Sequence, residues 1–167
     1  SEDKKEEKEP VKFPLNPFNL DIKDVNFGTP YANLELDALT LNEVGNLFLD
    51  SKIISGENIF PVKTNAVFNF NPIEIISSDL FLGQATGNLA AALEPLKANL
   101  SLKSLSLDEL LKFVPQDLHG DIKVSGLIDT DVKAEQNGDF IKASGFLAMP
   151  QANIMEVPLS FNLPFSW

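Results

Sequence analysis

One histidine stands in the chain, His119, between Leu118 and Gly120 and just beyond a stretch of helical pattern. An imidazole can act as a general base, a nucleophile or a metal ligand, but each role needs partners in a recognisable arrangement. No such motif accompanies His119, which reads as a surface or turn histidine. Carboxylates gather at Asp108-Glu109 and at Asp129-Thr130-Asp131, a grouping calcium could use. Residues i and i+2 of a strand share one face, so a solvated polar face writes the same pattern. The calcium-loop signature of spaced Asp/Asn, a central Gly and a terminal Glu is missing. A carboxylate pair for glycoside hydrolysis would want an aromatic sugar platform, and the chain has one Trp and one Tyr. Asn99-Leu100-Ser101 spells a glycosylation sequon inside a predicted strand and is read as incidental. No catalytic, cofactor-binding or metal-binding residue is assigned, and the protein is expected not to be an enzyme.

The inventory narrows the chemistry further. All 13 basic residues are lysines, against 24 acidic ones, for a net charge of −11. Without arginine there is no bidentate fork for phosphate, carboxylate or guanine. Without a basic patch there is no electrostatic route to nucleic acid. The absence of cysteine removes thiol nucleophiles, thiolate metal sites and disulfides together. With 167 residues, 44% hydrophobic and 22% charged, the composition is that of a globular domain with room for a core.

Phenylalanine dominates the aromatics with 13 copies. Tyr and Trp, which favour wet interfaces, are nearly absent. A Phe- and Leu-rich interior fits an ordinary core. It fits equally an apolar groove for an acyl chain or a hydrophobic partner segment, for which the candidates are Phe68, Phe70, Phe81, Leu100 and Leu102.

The elements that must position these side chains are mostly strands. Residues 1–9 hold eight charged groups and nothing apolar. With Pro10, Pro14 and Pro17 they predict a charged, disordered linker over residues 1–17, either a tether after a removed membrane anchor or a plain terminus. No stretch approaches the ~20 apolar residues of a spanning helix. From Leu20 onward the dominant period is two. Strands are expected at 20–27 and 34–41 (the second with a one-residue slip that suggests a bulge), 47–54, 62–70, 73–82, 85–93 and 98–105. Others are expected at 121–125, 128–134, 140–147 and 154–161. Turn residues separate them at 28–30, 55–58, 71–72, 83, 94–95 and 136–138. Ser106 to Val114 breaks the rhythm: a Ser N-cap, Glu109 three residues on, apolar residues at 107, 110, 111 and 114, and Pro115 as a stop predict one short helix. A weak repeat links Gly120–Ile128, Gly138–Leu147 and Phe81–Leu89, each an alternating strand with glycine before and within it. Similar hairpins in a long curved sheet would write such a repeat, and so would chance.

The residues from Gly87-Asn88-Leu89 through Leu96 to Leu111, followed by Leu118-His119-Gly120-Asp121-Ile122-Lys123-Val124-Ser125-Gly126, carry a resemblance. Spaced leucines enter a short helix, and a strand of the form L-x-G-x-[IV]-x-[VL]-x-G follows. This resembles the C-terminal region of AsmA-like proteins and of the type II secretion system protein N, over roughly residues 80–150. The resemblance implies a periplasmic, curved antiparallel β domain tethered to the inner membrane. It implies roles in envelope or secretion-apparatus assembly or in lipid passage, and no catalytic residues.

The expectation is therefore an all-β, antiparallel meander over residues 18–167, curved, open or partly closed, with one short helix near 106–114. The function expected first is that of a non-catalytic periplasmic component of a type II secretion or AsmA-like system, with envelope or secretion proteins as partners. A lipid-binding or lipid-transfer domain holding acyl chains on a concave sheet is the alternative. A secreted carbohydrate-binding or adhesive β-sandwich, with a closed two-sheet core, is the third. No cofactor is expected.

Overall fold

The computed structural model describes residues 18–167, so the expected linker over 1–17 lies outside the described residues. Its strands follow the alternating segments closely: β1 (Leu20–Gly28), β2 (Asn33–Leu41), β3 (Asn46–Ser55), β4 (Asn58–Phe70), β5 (Ile73–Leu82), β6 (Ala85–Leu93) and β7 (Leu96–Ser106). Two short helices, α1 (Leu107–Leu111) and α2 (Gln116–His119), precede β8 (Val124–Asn137), β9 (Phe140–Ile154) and β10 (Val157–Ser166). All ten strands form one antiparallel sheet in chain order, β1 at one edge and β10 at the other. A two-sheet sandwich would divide these strands; here each packs chiefly on its neighbours in sequence. The slip expected in the second strand is a register shift between Leu36 and Ala38.

Three expectations are corrected. The strand expected at 121–125 begins only at Val124, after a loop that closes the helical connection. Residues 154–161 do not form one strand, because Met155 and Glu156 turn the chain with φ of 50° and 70°. Two-residue hairpin turns favour Asn-Gly or Asp-Gly, and Met-Glu carries no such signal. Beyond Pro115 lies a second helical turn, α2, where a single helix was expected.

Antiparallel partners point to the same side of a sheet, so the register assigns every side chain to a face. One row crosses all ten strands as Ile22, Leu39, Leu49, Thr64, Leu80, Gly87, Leu102, Thr130, Leu147 and Leu163. The next row, Lys23, Ala38, Asp50, Lys63, Phe81, Thr86 and Lys103, faces the other way. The most deeply buried apolar residues, Leu41, Phe60, Ala66, Phe70, Ala85, Leu102, Met149 and Ala152, all fall on the first face. Among the described residues no large side chain is completely buried, as expected when one layer of sheet supplies most of the packing.

The sheet is curled about its apolar face. Laid flat, the β1–β2 and β9–β10 turns would sit eight strand spacings, roughly 38 Å, apart. Here Pro30 and Tyr31 of the first turn line the same cavity as Asn153 and Glu156 at the second. Glycines within strands permit close approach on the concave side. A Cβ at Gly87 would strike the carbonyl oxygen of Ser101, and one at Gly145 that of Asp131. Those two glycines, with Gly126, are the internal glycines of the three repeat units. Gly145→Val is expected to cost about 2 kcal/mol through overpacking, whereas Ser144→Val, exposed on the other face, stays near neutral; urea unfolding of both variants measures the difference.

Candidate functional site

The polar side of the sheet is a lattice of cross-strand pairs. Lys52 lies 3.1 Å from Glu35 and 3.4 Å from Asp37, and Lys63 lies 3.2 Å from Asp50. Hydrogen bonding to the Glu35 carboxylate, then to Asp37, holds the Lys52 ammonium above the usual lysine pKa. These pairs keep one face wetted and leave the other for apolar contact.

On the apolar face, hydroxyls do not interrupt the surface. Thr130 donates to the Phe146 carbonyl at 2.7 Å, Thr64 to that of Asp79 at 2.8 Å, and Ser51 to that of Val62 at 2.8 Å. Each hydroxyl is thereby satisfied within the sheet. Leu89, Leu100, Val132, Gly145 and Phe165 make a second continuous row. At the end of the sheet holding the β2–β3 and β4–β5 turns, Phe68 and Phe70 meet edge to face at 5.1 Å between ring centroids. Phe18 stands 5.6 Å from Phe70.

The opposite end is capped by the 107–119 connection. Ser106 opens α1, its hydroxyl accepting the Glu109 N–H at 3.2 Å. The Glu109 carboxylate reaches across to the Gln84 N–H at 3.3 Å, tying the cap to the β5–β6 turn. Phe113 then sets its ring edge-on against Phe60 at 5.9 Å, four strands away from β8. Ser106→Ala removes the N-cap bond and is expected to lower stability by about 1 kcal/mol, read as a shifted denaturant midpoint. Under the cap lies a cavity of about 1070 Å³, lined by Tyr31, Lys112, Phe113, His119, Lys123 and Glu156 among others.

The residues expected to line a groove divide between the faces. Phe68, Phe70, Leu100 and Leu102 stand on the apolar face. Phe81 is directly paired with Lys63 and Thr86 and stands on the polar face, 40% exposed. Sequence reading gave no place to Leu39, Leu49, Leu147 and Leu163, although their alternation was the available signal. Tyr31, Lys112, Lys123 and Glu156 had no signal at all, because three separate connections bring them together. His119, read as a surface or turn residue, ends α2 half-buried, and its Nδ1 is buried with no hydrogen-bond partner. Asp129 accepts the Ser104 N–H at 2.8 Å, and among the described residues no three acidic or histidine side chains gather as a metal site. Asn99 of the sequon is exposed on the polar face.

No protein-family model, curated protein or solved structure matches this chain.

Proposed function

We propose that the protein holds the acyl chains of a lipid along the apolar face of its curled sheet. The observation that carries this reading is the apolar row that runs across all ten strands, half-buried along most of its length and, among the described residues, capped by helices at one end only. A continuous apolar row on a single-layer sheet, with no large side chain completely buried among the described residues, is more than the scattered exposure of an ordinary surface. Protein-docking faces rely on Tyr, Trp and Arg anchors with directional hydrogen bonds. This face offers Leu, Ile, Val, Phe and Ala, with its hydroxyls already engaged, and so suits a ligand that needs contact without direction. Strands of nine or ten residues run about 30 Å, against about 15 Å for the chains of one bilayer leaflet. The groove is long enough for a lipid laid lengthwise.

The setting we propose follows from the resemblance over residues 80–150. It is a periplasmic domain tethered to the inner membrane, serving an AsmA-like or type II secretion assembly without catalysis. Lipid holding, expected second to protein docking, moves to first place in this reading because the described residues place no second layer of sheet over that face.

Native mass spectrometry after incubation with phospholipid vesicles tests the reading. The expected result is a set of mass increments matching phospholipid or fatty acid, displaced by excess free fatty acid. A ligand-free spectrum at every lipid-to-protein ratio overturns it.

A further inference from the structure

We infer that the cavity beneath the 107–119 cap receives the polar head of the bound lipid, and that this head is a zwitterion. Its phosphodiester faces Lys112 and Lys123, and its ammonium faces Asp108 and Glu156. The inference rests on the acyl-chain reading and adds to it an orientation and a headgroup class.

The cavity holds about 1070 Å³, and these four side chains line it together with His119. That volume is ample for a small polar ligand. Its charges are of both signs, yet among the described residues neither lysine forms an ion pair with a carboxylate. Asp108 is engaged only in accepting the Gly126 N–H at 3.4 Å. Opposite charges that line one cavity without touching leave a gap that a ligand with both charges can bridge. A purely anionic head would satisfy the lysines and be repelled by Glu156 and Asp108.

Continuity with the groove supports the same orientation. Phe113 lines the cavity and packs on Phe60 of the apolar face, so head and chain sites adjoin. The far end is the cluster of Phe18, Phe68 and Phe70, a surface for chain ends rather than heads.

The test loads the protein from vesicles containing equal phosphatidylethanolamine and phosphatidylglycerol of one chain composition, together with oleic acid, and reads the bound species by native mass spectrometry. Wild type is expected to take phosphatidylethanolamine in preference to phosphatidylglycerol. Lys112→Ala/Lys123→Ala, at two exposed positions, is expected to lower loading of both phospholipids about tenfold while oleate loading stays. Glu156→Gln, also exposed, is expected to erase the preference for the zwitterion. Equal loading of the two phospholipids by wild type, or loading indifferent to the lysines, overturns the headgroup assignment and leaves the acyl-chain reading standing. No lipid or oleate on wild type overturns both.

Discussion

Leu100→Asp is expected to abolish lipid loading while the protein remains folded. Leu100 sits mid-groove on β7, between Leu89 and Val132 in a row that continues to Gly145 and Phe165. It is half-buried, so an aspartate there keeps contact with water as long as the groove is empty. Folding loses roughly 1–2 kcal/mol of apolar burial. Binding loses more, because a chain laid over the carboxylate must strip it of water with no cation to replace the hydration. That desolvation amounts to several kcal/mol, and at 1.4 kcal/mol per decade loading falls about a hundredfold or more. Asn99→Asp is the control. It adds the same charge one residue away, on the exposed polar face, and is expected to leave loading unchanged. Titration with a fluorescent fatty acid measures all three proteins. Equal affinity for wild type and Leu100→Asp would remove the apolar face as the seat of binding.

Phe60→Ala is expected to be among the most damaging single changes to stability. Phe60 is 7% exposed on β4 and meets Phe113 of the cap edge to face. Its ring also fills the space beside Gly83, where a Cβ would come within 2.7 Å of it. Truncation deletes a buried ring, leaves a cavity and unseats the cap, at about 3–5 kcal/mol. That is a large part of the 5–15 kcal/mol that holds an ordinary domain together. Phe81→Ala removes the same atoms from the polar face and is expected to cost about 1 kcal/mol or less. Urea denaturation of the two variants compares the faces directly. Similar losses for both would mean that the packed side of the sheet has been misassigned.

These two phenylalanines also mark the limit of what the sequence discloses. β4 reads cleanly only from residue 62, where Val62, Thr64 and Ala66 alternate with Lys63 and Asn65; Phe60 stands between Ile59 and Pro61, ahead of the expected strand. β5 does not, since Ile75-Ile76 and Leu80-Phe81-Leu82 are apolar at consecutive positions. Alternation cannot say which member of such a run faces inward. The register decides: irregularities between Val67 and Phe68 and between Ile75 and Asp79 set the parity that sends Phe81 out with Lys63. A bulge shifts parity by one residue and depends on the partner strand as much as on its own sequence. The capping residues show the converse. Ser106 and Glu109 announced a helix start, and Ser106 does cap α1. Yet the Glu109 carboxylate is spent on Gln84, a turn more than twenty residues earlier in the chain.

By itself the sequence determined the antiparallel meander, the approximate bounds of most strands, the start of the helix and the lack of catalytic or metal-binding motifs. Those properties are local: the pleat makes a period of two, turns need particular residues, and a missing side chain type stays missing in any fold. Tertiary structure alone decided that the apolar rows join into one curled face, and that Tyr31, Asp108, Lys112, Lys123 and Glu156 line a common cavity. Curl accumulates from twist, bulges and close approach at glycine over many strands. No window of sequence contains the sum, and the cavity under the cap exists only once the sheet has curled enough to bring its first and last turns together.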